Sequence, residues 1–384
     1  MSIASVISKF KYSPRENTCE IVVFDSMGSD VFLDYVFPGR EIKCIPARNE
    51  SFPISFVIMV NTILATARII RMKFSLTANW KMRLKVAYYC ALFEEFKPKV
   101  VLTFIDTNPY FSLLSEAYSK AHFCAFQNGL RLPYMETLTP YTMQHFFCYG
   151  QSDVDAFSKK PHNIGQIYKI GSILGEVARR RFEGIVNIEF DLCLVSQWRD
   201  KLMNTEDNVE VRDALFSLYE YANRLAVKHN LKLTVACAVS SESELKYFRE
   251  NFDARTRIVV NNRKELRTYR EIMASTLTLT AWSTVAMEAA GWGKKCVFVN
   301  STSQRRFDVQ VPDQFIVKSK SFDEFEHKVM SALKSEEKIF NSLGAMIKDR
   351  IMAYTDVDAN FALIRNAIDK LEQRVQGSKI KPLL

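Results

Sequence analysis

A chain of 384 residues with 48% hydrophobic and 25% charged side chains has the make-up of a folded globular protein and is long enough for two domains. Disordered chains, coiled coils and small disulfide-stapled folds are excluded. Lys and Arg outnumber Asp and Glu by 52 to 43, with 22 against 16 in residues 1–183 and 30 against 27 in the remainder, so the first half attracts phosphate groups the more strongly.

In chain order, the opening segment MSIASVISKFKYSPREN lacks the apolar core and cleavage site of a signal peptide. Short apolar runs then predict strands at 20–25, 41–46, 99–106, 122–128, 145–150 and 166–172 in the first half. A second series follows at 191–197, 232–238, 257–262, 277–283, 295–300 and 314–319. Helical spacing lies between them, as in 211–229, where Leu215, Leu218, Tyr219, Ala222 and Ala226 share a face. Such alternation predicts an α/β protein of two Rossmann-like domains, with parallel sheets facing a central cleft. The expected division is 1–175 and 185–355, joined by the Arg-rich segment 175–187. A closing helix and frayed tail at 356–384 form a third part, with packing back on the first domain as one arrangement.

The stretch Ser51–Phe93 has no acidic residue but carries Arg68, Arg71, Lys73, Lys81, Arg83 and Lys85. Interleaved with apolar and aromatic residues, it reads either as an amphipathic domain helix or as a membrane-surface helix. The apolar run Phe52–Ile70 is interrupted by Pro53, Asn61 and Arg68, which makes it marginal for spanning a bilayer. The eight cysteines include no CxxC pair, and the five histidines show no paired spacing. The thiols read as buried and free in a reducing compartment, and no metal site is expected. A cytoplasmic protein is expected, with contact to the inner face of the membrane as one arrangement.

Ligands of parallel α/β sheets bind beyond the carboxyl ends of the strands, so the loops there carry the candidates. In LTLTAWSTVAMEAAGWGKK, Trp282 ends a strand and Ser283 and Thr284 begin a helix, whose free amides suit a phosphate. Glu288 follows one turn later, placed to accept ribose hydroxyls; a plain capped helix with a solvated Glu is the alternative. Ser196, Gln197 and Arg199 end another strand and could touch the same ligand, with Trp198 beside them as a donor contact or interdomain packing. In FIDTNPYF, Asp106 is a candidate base and Asn108 a helix cap before Pro109; Asp106 could equally complement the helix end. Asp25, after VVF, is the second base candidate or a turn carboxylate. Gln127, Asn128 and Arg131 flank the Gly129 turn, Arg131 as an anion clamp or an ordinary surface cation.

The segment 277–300 resembles the donor-binding segment of GT-B glycosyltransferases. With KVVLTFIDTNPYFSLLSEAY, CAFQNGLRLPY and DLCLVSQWR, the pattern is similar to that of bacterial surface carbohydrate biosynthesis proteins, near the transferases that use CMP-Kdo and nonulosonic acids. A more distant likeness is to the CDP-glycerol transferases of teichoic acid synthesis. The resemblance implies that Ser283 and Thr284 hold the donor phosphate and Glu288 the ribose. Two departures stand out: KLTVACAVSSESE has no His-Pro pair, and Ser196 and Gln197 replace an expected carboxylate. They favour direct inverting displacement. With no DxD motif, the leaving nucleotide is expected to be stabilised without a metal and without a cofactor.

The sequence therefore leads to the expectation of a glycosyltransferase that moves a CMP-linked acidic sugar to a surface polysaccharide or lipopolysaccharide acceptor. Its expected partners are a nucleotide sugar and a glycan or lipid-linked acceptor, with a membrane surface added if 51–93 is a surface helix rather than a domain helix; no nucleic acid is expected. A CDP-polyol phosphotransferase and a non-enzymatic polyanion-binding protein are the other classes that fit.

Overall fold

The computed structural model describes residues 10–12, 18–47, 52–131, 140–159, 161–184, 187–203, 209–318, 320–353 and 357–375. The chain divides into two compact units. Unit 1 takes 1–128, 137–171 and 355–384, and unit 2 takes 129–136 and 172–354. The expected limits at 185 and 355 and the tail from 376 onward lie outside the described residues.

Unit 1 holds a six-stranded parallel sheet, ordered β3-β2-β5-β6-β7-β8. Its strands are β2 (Ile21–Phe24), β3 (Lys43–Ile45), β5 (Val100–Thr103), β6 (His122–Phe126), β7 (Thr142–Cys148) and β8 (Asn163–Lys169). Both β2 and β5 are buried along their whole length, as unbroken runs such as IVVF and VVLT demand when helices cover both sheet faces. Two very short strands, β1 (Phe10–Tyr12) and β4 (Phe52–Ile54), pair in parallel apart from this sheet. Three residues are too few to show a period of two, and Pro53 argues against a central strand, so the sequence carried no sign of them.

Two helices fill the acid-free stretch: α1 (Phe56–Ile69) and α2 (Trp80–Phe96). Ser55 and Asn79 cap them by accepting from the N–H groups of Ile58 and Met82, which ends the apolar run 52–70 as a strand, a cap and a fourteen-residue helix. Among the described residues no helix is long and apolar enough to cross a membrane. The second half of α2 packs inward: Tyr89 meets Phe24 edge-on at 4.9 Å and Phe93 meets Phe123 at 6.0 Å. Truncating such a core ring costs about 3–5 kcal/mol. Helix α3 (Pro109–Ala117) follows β5. The C-terminal helix Val357–Val375 also belongs to this unit. Asn360 donates to the Ile170 carbonyl at 2.9 Å, and Arg40 pairs with Asp369 at 2.9 Å and with Glu372.

The main segment of unit 2 begins with α4 (Ile173–Phe182), capped by Ser172, so residues 175–182 of the expected linker are helical. Its six parallel strands are β9 (Phe190–Val195), β10 (Leu233–Ala236), β11 (Arg257–Val259), β12 (Ser275–Thr280), β13 (Lys295–Val299) and β14 (Ile316–Val317), in the order β11-β10-β9-β12-β13-β14. Between them run α5 (Val209–His229), α6 (Glu242–Asn251), α7 (Arg267–Met273) and α8 (Thr284–Gly291). The expected face of α5, Leu215, Leu218, Tyr219, Ala222 and Ala226, is buried. All twelve strands expected from the sequence are present, six to a sheet. The two sheets give the two-domain GT-B-like α/β fold.

Candidate active site

In unit 2 the strand order changes direction between β9 and β12, and loops leaving two such strands on opposite courses open a crevice at their carboxyl ends. Register fixes the two ends side by side: Leu194 lies opposite Leu279, and the Thr280 hydroxyl donates to the Val195 carbonyl at 3.1 Å. The loop after β9 is SQWR and the loop after β12 is AWST, so Ser196, Gln197, Arg199, Trp282, Ser283 and Thr284 gather at one switch point.

Their side chains divide by task. Ser196 is buried, and its hydroxyl accepts the Trp198 N–H at 3.1 Å beside the Tyr219 hydroxyl. Gln197 is half-buried and Arg199 exposed. Trp198 turns inward within unit 2, against Phe216, Tyr247 and Phe248, so its role is core packing in this unit. Ser283 takes the N-cap position of α8 in extended backbone, yet its hydroxyl makes no cap bond. The Thr284 hydroxyl accepts the Leu130 N–H at 2.9 Å, which brings the Gly129 turn to the start of α8. Arg131 donates to the Gly129 carbonyl at 3.2 Å and so lies at the same helix end. Trp282 stacks on Phe307 at 4.3 Å. Glu210 secures the loop leading to that ring by accepting from the Ser303 N–H at 2.6 Å and from Gln304 at 2.9 Å. These bonds, the Ser303 N–H first, pull its carboxyl down to about 2.

Glu288 is on α8 as expected, but its side chain is enclosed rather than open to solvent, with only 2% of the residue exposed. Its oxygens accept from the Ser172 and Tyr269 hydroxyls, each at 2.5 Å. A Cβ on Gly175 would sit 3.1 Å from its carboxyl carbon, so α4 packs closely over it. Burial pushes the carboxyl up to about 7 against the pull of the two hydroxyls, and Glu176 adds to the rise.

Unit 1 repeats the geometry with other chemistry. Its strand order turns between β2 and β5, and Asp25 and Asp106 follow those two strands. Both are buried, each 1% exposed. Asp25 adopts φ of 76°, a left-handed conformation that aims its carboxylate back over the turn, where it accepts the Met27 N–H at 3.2 Å. Asn108 caps α3 through the Tyr110 N–H at 3.1 Å and reaches Asp25 at 3.4 Å. Asp106 accepts long bonds from the Asn128 N–H at 3.4 Å and the Tyr141 hydroxyl at 3.5 Å. The structure thus brings Asp25, Asp106, Asn108 and Asn128 together. Gln127 departs from this group: it is buried, donates to Asp153 at 3.2 Å and accepts the Tyr149 N–H at 3.0 Å, so its amide ties strand ends together rather than facing the crevice.

Sequence reasoning missed Ser172, Tyr269, Tyr141, Phe307 and Glu210, whose contacts span 19 to 116 residues. Gly28 did carry a signal, since DSMGSD is a turn-forming string. Its φ is 85°, and a Cβ there would meet Phe104 at 2.6 Å. Among the described residues no cluster of three or more His, Cys, Asp or Glu side chains is arranged to hold a metal ion. The eight cysteines are free, seven of them buried.

The sequence matches no protein-family profile and no curated protein sequence. Solved structures do match. The UDP-GlcNAc 2-epimerase of Neisseria meningitidis bound to UDP-GlcNAc superposes with a TM-score of 0.55 at 12% identity, covering 92% of this chain and 100% of that one. The Methanocaldococcus jannaschii UDP-GlcNAc 2-epimerase, in complex with UDP-GlcNAc and UDP, gives 0.54 at 14% identity over 90% and 98%. A variant of the wall teichoic acid polymerase TagF gives 0.51 at 11% identity over 93% and 90%. The first two cover both units almost end to end, and all three share the GT-B-like fold.

Proposed function

We propose that this protein is a glycosyltransferase of surface-glycan synthesis that takes its donor as a nucleotide sugar in unit 2 and uses a carboxylate of unit 1 as base. A CMP-linked acidic sugar is the donor we favour, a glycan or lipid-linked glycan the acceptor, and the cytoplasmic side of the membrane the place of reaction. The observation that carries this reading is the switch point of unit 2. There Ser283, with its hydroxyl unused by the cap, and the first amides of the eight-residue helix α8 meet the loop after β9. Such amides, at the positive end of a helix dipole, hold phosphate oxygens. That proteins of this fold bind UDP-GlcNAc supports the nucleotide reading.

The chemistry follows from the two kinds of group. The acceptor hydroxyl attacks the anomeric carbon, its proton passing to Asp106, with Asp25 as the second candidate. The bond from that carbon to the phosphate oxygen breaks, and the departing nucleotide keeps the electron pair. The amides of α8, Ser283, Thr284 and Arg131 stabilise the charge that develops on the phosphate, while Gln197 and Arg199 support the donor and Trp282 offers it a flat apolar face. Asn108 and Asn128 contact the acceptor, with Gln127 holding the strand ends that carry them. Direct displacement inverts the anomeric centre. Glu288, closed in by the Ser172 and Tyr269 hydroxyls and by α4, holds α8 to its neighbours rather than the ribose.

The test is a melting-temperature screen with CMP, CDP, UDP and their sugar or glycerol conjugates, followed by product analysis. A specific ligand raises the melting point through mass action. A shift with CMP and release of CMP from a CMP-sugar in the presence of a glycan acceptor is the expected result. Turnover of CDP-glycerol alone replaces the transferase by a polyol phosphotransferase that uses the same phosphate site. Salt-sensitive polyanion binding with no saturable nucleotide site refutes an enzyme of either kind.

A further inference from the structure

We propose that the α1–α2 hairpin of unit 1 is a docking surface for an anionic lipid bilayer, with the apolar face of α1 entering the headgroup region. Of the fourteen residues of α1 only Ile58 and Ile69 have buried side chains. Phe56 is 73% exposed, Ile63 71% and Leu64 66%, and Val57, Met59 and Val60 are exposed beside them. Ile70 beyond the helix end and Trp80 and Leu84 at the start of α2 are exposed as well. A stripe of this size on a folded surface marks a contact site, and aromatic residues beside aliphatic ones suit the boundary between water and hydrocarbon.

Charge identifies the occupant. No acidic residue occurs from Ser51 to Phe93. Arg71, Lys73 and Lys81 are exposed where the two helices join, while Arg83 holds that connection by donating to the carbonyls of Ile69, Ile70 and Met72. The carboxylates at the hairpin have partners: Glu116 accepts from Ser75, Glu94, beside Leu64 and Arg68, pairs with Lys120, and Glu95 lies by Ser55. An apolar stripe that ends in the exposed cations Arg71, Lys73 and Lys81 complements anionic headgroups.

The full chain is floated with vesicles of phosphatidylcholine containing phosphatidylglycerol, and with phosphatidylcholine alone, at low and high salt. Expected are strong flotation on the anionic vesicles, less on the neutral ones and a decline with salt. The double variant Ile63→Asp/Leu64→Asp should lose partitioning on the order of a hundredfold, since each buried aliphatic side chain contributes tenfold or more. Lys73→Gln/Lys81→Gln should lose several-fold, on anionic vesicles only. Both pairs are surface changes, so an unaltered melting curve accompanies the expected result; should the Asp pair fail to fold, Leu64→Ser takes its place. Absence of wild-type flotation overturns the proposal, as does undiminished flotation of the Asp pair. A dimer by sedimentation that Leu64→Asp dissolves, without vesicle binding, assigns the face to a second copy and also overturns it. The nucleotide-induced melting shift is read on the same samples, so loss of lipid binding and loss of the donor site are told apart.

Discussion

The candidate sites of the two units have the same topological origin and different side chains. Each lies where a six-stranded parallel sheet changes direction. That of unit 1 gathers the buried carboxylates of Asp25 and Asp106, bonded by Asn108, Asn128 and Tyr141. That of unit 2 presents Ser283, Thr284 and the amides of α8, with Arg131 at the same helix end. On the proposed function, the first would accept a proton and the second hold an anion. Topology says where a ligand goes, and the residues that end the strands decide what it is.

The comparison breaks first at Asp106. Asp106→Asn should lower transfer on the order of a hundred- to ten-thousandfold and leave the nucleotide-induced melting shift intact; equal activity in wild type and variant would pass the role to Asp25. The next effect is one of stability in unit 2. Burial raises Glu288 from the ordinary 4.5 to about 7, so the folded chain keeps a proton that the unfolded chain has released. The associated stabilisation is full below about pH 4.5 and drains as pH rises through about 7, a swing of about 3 kcal/mol. The melting temperature should therefore fall from about pH 5 to about pH 8, and Glu288→Gln should flatten that slope. A wild-type curve that climbs over this range is the contrary result.

In unit 1, Gly28→Ala should cost about 2 kcal/mol by chemical denaturation, because φ is positive and Phe104 stands in the way. The smallest effect sharpens the contrast between the mouths. Ser283→Ala should weaken nucleotide binding by about 1 kcal/mol, or roughly fivefold, with melting temperature unchanged because the hydroxyl bonds nothing in its own helix. A drop in stability instead would make Ser283 a structural residue.

Much of the scaffold was legible from local pattern. Unbroken apolar runs such as IVVF and CVFV are what parallel strands covered on both faces require, and Asn108 before Pro109 is a helix start by the geometry of those two residues alone. Glu288 was legible only by position. Its helix and turn were readable, but its enclosure depends on Ser172, 116 residues earlier, and on the absence of a side chain at Gly175. Gln127 and Trp198 misled for the same reason. A polar or aromatic residue after a strand looks alike whether it faces a crevice or packs inward, and Asp153, Tyr149 and the Tyr247 ring decide it.

What the sequence determined by itself was the class of fold and the ends of the strands, because periodicity and turn chemistry act within a few residues. Which of the residues at those ends share a crevice, which have free hydroxyls and which carboxylate is closed in were decided only by tertiary structure. Parallel strands pair across long crossovers, and the contacts that fix a side chain's direction come from parts of the chain a hundred residues away.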